Sequence, residues 1–182
     1  MEDKPLTWET LSSEIAYSCD GFDVVRETVR LPDGAEVDFD YLTESESVVI
    51  LPLTPDGDVV VIEEWREPVR RVNYGLPAGS VDPDDDDRRT AVARELEEET
   101  GYEPGGVTHL TTVEPANGFS DAVFHYFLAE NCTPTGEQRL DDDESIRVET
   151  TTLDGLLEAA ESGALRDGRT MLGVLYYELF QG

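Results

Sequence analysis

A chain of 182 residues with 38% hydrophobic content can bury one globular core and carry a small appendage, and it leaves no room for a second large domain. Its 42 Asp and Glu against 13 Lys and Arg give a formal net charge of -29, which excludes nucleic acid as a general partner, because neutralising phosphates takes a basic surface. No run approaches the roughly 18 apolar residues of a membrane span, and the opening MEDKPLTWET lacks the apolar core of a signal segment, so a cytoplasmic protein with no membrane association is expected.

The acid is spread along the chain among regular apolar segments, so it reads as a solvated coat rather than as disorder. FDVVRETVRL and AEVDFDYL flank PDG at 32–34 and predict strand, turn and strand, so residues 1–45 are expected to form a β extension. SVVILPLT and DVVVIEEW, around PDG at 55–57, are almost continuously apolar and predict strands covered on both faces. GLPAGSVDPDDDD follows as a loop. From Asp86 to Thr100 the pattern turns helical, and Gly101 stands where a helix stops. VTHLTTVEP, AVFHYFLAE and SIRVETTTL predict strands, and helices close the chain near 153–162 and 169–180. This order gives an α/β or α+β sandwich over residues 46–182. Cys19 and Cys132 make no disulfide framework and are read as buried free thiols.

The stretch RELEEETGY, residues 94–102, crowds carboxylates onto the predicted helix. At about 100° per residue, Glu95 and Glu99 lie about 40° apart and border the face that Val92 and Leu96 turn to the core, while Glu98 points further toward solvent. Like charges at this spacing repel, more so as burial lowers the dielectric, so a cation is expected there. Hard carboxylate oxygens suit Mg²⁺, Mn²⁺ or Ca²⁺, whereas zinc would call for His or Cys. A calcium loop of the EF-hand type starting at Asp82 fails, because Asp87 stands where glycine is needed and Ala93 where the bidentate glutamate belongs. In so acidic a chain, a merely solvated helix face is the alternative reading of the glutamates.

RELEEETGY also matches the second half of the Nudix signature, G-x5-E-x7-R-E-U-x-E-E-x-G-U, through Arg94, Glu95, Leu96, Glu98, Glu99, Gly101 and Tyr102. Counting back from Arg94 puts Asp86 at the signature glutamate and Ser80 at its glycine, so the loop is one residue longer than the pattern and Gly79 keeps the glycine's role. The chain resembles the ADP-ribose pyrophosphatase group of that family, in which EEWREPV corresponds to an arginine-bearing strand, GLPAG to the loop entering the signature and DDDESIRV to a late acidic loop.

The resemblance implies an α/β/α sandwich with a mixed sheet and a small N-terminal β extension, and a homodimer formed through that extension. It implies hydrolysis of a nucleoside diphosphate linked to another moiety, ADP-ribose first, with Mg²⁺ or Mn²⁺ as cofactor. By motif position, Glu95 and Glu99 would be the chief metal ligands, Glu98 would contribute, and the Ala78 carbonyl would complete the site. Arg94 and Glu98 belong to the catalytic motif, and either Asp142 or Glu144, in LDDDESIRV, would be the base that polarises the water.

Arg66, Arg70 and Arg71 cluster in a chain with few cations and are candidates for the diphosphate, Arg66 first; ion pairs with surplus carboxylates are the alternative. Asn117 stands where the group typically has proline, a departure that bears on the choice of substrate. Trp65, Tyr74 and Phe119 are core or interface aromatics before they are base platforms, and His109 and His125 receive no catalytic role. A non-catalytic nucleotide-sensing or protein-binding module is the competing function, and a calcium-binding or merely acidic structural protein is a third. Finally, dispersed acid with the single lysine Lys4 resembles the composition of halophilic archaeal proteins.

Overall fold

The computed structural model describes residues 6–136, 138–141 and 144–181. Two compact units are present, one made of Met1–Glu46 with Glu114–Val123 and the other of Ser47–Val113 with Phe124–Gly182.

In the first unit, β1 (Glu9–Ser18), β2 (Asp23–Arg30) and β3 (Glu36–Thr43) form an antiparallel sheet in the order β1-β2-β3. The turn at 32–34 falls where the sequence places it, closed by the Gly34 N–H on the Leu31 carbonyl at 2.9 Å. β1 is exposed at all ten of its positions, so it carries no apolar alternation to betray it in the sequence. Residues 114–123 join this unit across a long sequence gap: Leu42 N donates to the Phe119 carbonyl, Asp121 N to the Leu42 carbonyl, and Thr43 Oγ1 to Asp121 Oδ2 at 2.6 Å.

In the second unit the strands are β4 (Ser47–Pro52), β5 (Val59–Arg66), β6 (Arg71–Gly75), β7 (Ala78–Ser80), β8 (Tyr102–Glu103), β9 (Gly106–Val113), β10 (Phe124–Glu130), β11 (Thr133–Pro134) and β12 (Ile146–Thr151). The helices are α1 (Arg88–Thr100), α2 (Leu153–Glu161) and α3 (Gly168–Phe180). One sheet runs β7-β4-β10-β9, with β4 and β10 parallel and the remaining pairs antiparallel, so it is mixed; β12-β5-β6 form a second sheet and β11-β8 a short pair.

Side chains alternate across β4, and that alternation builds two cores. Val48 and Ile50, with Phe127 and Ala129 of β10, pack against Ala91, Val92 and Leu96 of α1. Val49 and Leu51, with Tyr126 and Leu128, pack against Val59 and Val61 of β5, Leu156 of α2 and Val174 of α3. A central strand buried on both faces explains the continuous apolar run of its sequence. The result is an α/β/α sandwich. Cys132 is buried in the α1 core, where burial raises its thiol to about 11, whereas Cys19 is only half-buried. Among the described residues no helix is long and apolar enough to cross a membrane.

The scarce cations are spent on bridging the acidic coat. Arg30 of the central strand β2 pairs with Glu9 of β1 at 2.6 Å and Glu36 of β3 at 2.9 Å, and Arg26 pairs with Asp40 opposite it. Such exposed pairs contribute about 0–1 kcal/mol each and do not offset a net charge of -29. The Debye length shortens from about 10 Å at 0.1 M salt to about 3 Å at 1 M. Melting curves across that KCl range are therefore expected to show Tm rising by on the order of 10 °C, since each kcal/mol of relieved repulsion is worth about 2–4 °C at this chain length. A flat or falling Tm would remove the solvated-coat reading.

Candidate active site

Helix α1 is placed by its ends. Asp87 caps it, accepting from Arg89 N at 2.8 Å and Thr90 N at 2.9 Å, and Gly101 closes it in the left-handed region at φ 70 with its N–H on the Glu97 carbonyl. Two further carbonyls at that end are taken by the late segment, Glu98 O by Arg139 N at 2.9 Å and Glu99 O by Gln138 Nε2 at 2.6 Å. These bonds tie the glutamate face of α1 to the backbone that leads into the late acidic loop.

The face itself follows from the helical period. Leu96 and Val92 are fully buried, Glu99 beside them is 3% exposed, Glu95 is half-buried, and the Glu98 side chain is 34% exposed. Glu99 Oε2 accepts the Ala78 backbone N–H at 3.0 Å. Gly79 sits so close to α1 that a Cβ there would fall 2.0–2.3 Å from the Glu95 carboxyl atoms. A side chain at this position and the Glu95 carboxylate cannot share the space.

Arg94 binds the cluster together. Its Nη1 reaches Glu95 Oε1 at 2.8 Å and Glu98 Oε2 at 3.1 Å, while Nη2 reaches the Ser80 carbonyl at 2.8 Å and Asp85 Oδ2 at 3.0 Å. The acid that orients Arg94 is therefore Asp85, with its side chain 4% exposed, and not Asp86, which is exposed. Counting six positions forward from Gly79 reaches Asp85, so the extra residue of the loop lies after it, between Asp85 and Arg94. Hydrogen bonding to Arg94 holds the Asp85 carboxyl below its usual range, and Asp85 in turn raises the Arg94 guanidinium further.

Burial dominates the remaining carboxyls. It pushes Glu95 up to about 7 against the pull of Arg94, with Glu98 and Glu144 adding repulsion. It pushes Glu99 up to about 8 against the Ala78 N–H, with Glu95, Glu144 and Glu64 adding repulsion. Among the described residues no three Asp, Glu, His or Cys groups converge on one point at ligand distance, and Arg94 supplies a countercharge to Glu95 and Glu98. The donor chemistry fits a hard divalent cation: the acids are carboxylates, no His or Cys lines the site among the described residues, and Glu95 and Glu99, raised by burial first and by neighbouring carboxylates second, are groups whose charged forms such an ion would stabilise.

These side chains line one cavity of about 410 Å³, whose wall holds Ala78, Gly79, Glu95, Glu98 and Glu99 together with Arg66, Arg139, Asp141, Glu144 and Arg169. Of the arginines singled out in the sequence, Arg66 lines it, in an ion pair with Glu64 at 2.6 Å. Arg70 is exposed at the turn after β5, 3.9 Å from Glu67, and Arg71 lies in a separate hollow with Arg166. Glu144 is in the cavity wall, accepting Asp141 N through Oε2 at 3.1 Å, and Asp142 lies outside the described residues. His125 is buried and shares a hydrogen bond with Thr112, away from this wall; Trp65 is exposed and donates to Glu67, and Tyr74 packs on the core. Arg169 was not foreseen: 74 positions separate it from Glu95, and only the packing of α3 brings them to one cavity.

The NUDIX domain family matches residues 44–171. The chain therefore belongs to the Nudix family. It is 33% identical over 177 residues, 97% of this chain and 95% of the relative, to the ADP-ribose pyrophosphatase of Bacillus subtilis (strain 168), which puts it close to that group within the family. It is also 28% identical over 172 residues, 94% and 92% of the two chains, to the methanol dehydrogenase activator of Bacillus methanolicus. A solved structure of an ADP compounds hydrolase superposes with a TM-score of 0.85 at 20% identity, over 97% of this chain and 96% of that one, and shows the same fold.

Proposed function

We propose that this Nudix pyrophosphohydrolase cleaves ADP-ribose to AMP and ribose 5-phosphate with Mg²⁺ or Mn²⁺ as its cofactor. The observation that carries the reading is one cavity walled by Glu95, Glu98, Glu99 and Glu144 together with Arg66, in a chain whose likeness to an ADP-ribose pyrophosphatase runs nearly end to end. Glu95, Glu98, Glu99 and the Ala78 carbonyl would hold the ion, which supplies acidification of the attacking water and neutralisation of the diphosphate.

The chain's own groups do the rest. Arg94 fixes the directions of Glu95 and Glu98 and ties the signature loop to α1 through Ser80 and Asp85. Glu144, with Oε2 engaged by Asp141 N, has its other oxygen to take the proton of the attacking water; Asp142 is the alternative base. Arg66, on the same cavity wall, would meet the phosphoryl oxygens, its guanidinium steadied by the buried Glu64. Water oxygen bonds to one phosphorus, the bridging P–O bond breaks, and its electron pair leaves on the departing phosphate. The exposed apolar side chains of the first unit, Trp8, Ile15, Tyr17 and Phe39, support a homodimer surface there, and the acidic coat supports a salt-rich cytoplasm as its setting.

The test is product release from ADP-ribose, ADP-glucose, NADH and diadenosine polyphosphates in molar KCl, on a preparation sized by light scattering. ADP-ribose is expected to be cleaved fastest, by a two-chain species, with AMP as product and all turnover stopped by chelator. A folded protein whose Tm rises with nucleotide yet cleaves none of these would be a sensor instead.

A further inference from the structure

The cavity's cationic wall holds a residue that the signature does not reach. Arg169 stands in the first turn of α3, its Nε on Asp167 Oδ1 at 3.4 Å. Asp167 is the cap of that helix and accepts Thr170 N at 3.1 Å and Thr170 Oγ1 at 2.6 Å. Thr170, fully buried, takes the Leu76 N–H at 2.9 Å, which bolts the start of α3 to the backbone two residues ahead of Ala78. Arg169 is therefore carried on a fixed support beside the loop that enters the signature.

Its surroundings favour a ligand over a structural role. The four arginines on the cavity wall are differently engaged. Arg94 is committed to Asp85, Glu95, Glu98 and Ser80, and Arg139 is 62% exposed and paired with Glu97. Arg66 is paired with Glu64 and Arg169 with Asp167, carboxylates only 10% and 13% exposed; the charge of Arg169 also acts on Glu64, and all four lie beside a second small hollow between β5, β6 and α3. Burial alone would raise Asp167, but Arg169 and the Thr170 hydrogen bonds outweigh it and keep the carboxyl below its usual range, so the pair stays charged. Arg169 is 28% exposed and donates only through Nε among the described residues, which leaves its Nη fork unengaged toward the cavity. In a chain with 42 acids, an arginine whose fork is not taken by a carboxylate is set aside for another anion.

We infer that Arg169 binds substrate, its Nη fork taking non-bridging oxygens of the diphosphate on the side away from the carboxylate cluster and acting as a pair with Arg66. Asp167 is its positioning residue. This inference rests on the reading of the cavity as a diphosphate site. It also accounts for an anionic substrate entering an anionic protein: one phosphoryl group meets the cation held by the glutamates, the other meets two arginines whose own countercharges are buried behind them.

The experiment compares the intact chain with Arg169→Ala, Arg169→Lys and Asp167→Asn, reading kcat and KM for ADP-ribose, the Kd of ADP with Mg²⁺, the Kd of adenosine, and Tm without ligand. Arg169→Ala is expected to raise KM and the ADP Kd about 10- to 100-fold, the scale of losing charge-assisted hydrogen bonds, with adenosine binding unmoved; Tm falls with the loss of the countercharge to Asp167, so the Kd ratio is read well below the melting transition. Arg169→Lys, which keeps the charge but not the fork, recovers part of that loss. Asp167→Asn, which still caps α3, raises KM more than it lowers kcat. If Arg169→Ala does not fold, Arg169→Lys with a native Tm decides the matter by the same Kd ratio. An ADP Kd and KM within about twofold of the parent, in an enzyme that cleaves ADP-ribose, overturn the inference and leave the proposed function standing. Weakened ADP binding in a chain that cleaves nothing would keep the arginine site and remove the proposed function. A parent chain that neither cleaves ADP-ribose nor binds ADP removes both.

Discussion

Glu99→Gln is expected to lower kcat for ADP-ribose by at least about 10²-fold, the scale of removing one electrostatic group that acts on the transition state, while leaving the fold intact. The fold survives because glutamine keeps the volume and a carbonyl oxygen for the Ala78 N–H that now lies 3.0 Å from Glu99 Oε2. What disappears is charge. Glu99 is 3% exposed, and burial first, then its carboxylate neighbours, raise its proton affinity, so without a cation the change replaces a costly group by a neutral one of the same shape. Two readouts therefore separate catalysis from stability. In chelator, Tm of the variant should equal or exceed that of the parent; with Mg²⁺ or Mn²⁺, the parent should gain stability by mass action, about 2.7 kcal/mol at one hundred times Kd, and the variant should gain much less. A variant retaining activity within about threefold of the parent would take Glu99 out of the reacting centre.

What could be read from the chain, and what could not, follows from which contacts are local. β4 and β5 were legible because strands covered on both faces need unbroken apolar runs, and α1 because Gly101 marks its end and Val92, Leu96, Glu95 and Glu99 share one side of a 3.6-residue period, although its capping aspartate, Asp87, was not singled out. β1 was illegible for the converse reason: with every residue exposed, it has no buried face to imprint on its sequence. β7 hid inside what reads as a loop, and β6 just ahead of it went unread, because Leu76 and Pro77 break the run between two very short strands. The junction of residues 114–123 with the first unit depends on pairing across more than seventy positions, at which no local pattern points. Asp85 was within reach had the count started from Gly79 instead of Arg94, since an insertion displaces whatever lies beyond it from the fixed end. Arg169 carried only a faint mark, an arginine two residues after a helix-capping aspartate in a chain with few cations; its place on the cavity wall is a fact of tertiary packing alone.

Gly79→Ala should separate the placing of the carboxylates from their presence. The methyl would overlap the Glu95 carboxyl at 2.0–2.3 Å, a distance no packing accommodates. The obstacle is the end of a flexible side chain and not backbone, so the relief is for Glu95 to swing aside, breaking its 2.8 Å contact with Arg94 Nη1. β7 itself has no need to move: the pairing of Val48 with Gly79 uses backbone groups that alanine also supplies. Stability should accordingly change by no more than about 1–3 kcal/mol, the usual cost of inserting a methylene into packed surroundings. Activity should fall about 10²-fold, because a displacement of about 1 Å at a positioned reacting group costs that much. All four glutamates of RELEEETGY remain present in this variant, so a low kcat with a near-parental Tm would tie function to the geometry of Glu95 and not to the acidity of the helix. Full activity would mean that Glu95 can turn away without consequence, and the metal-ligand role proposed for it would pass to Glu98 and Glu99.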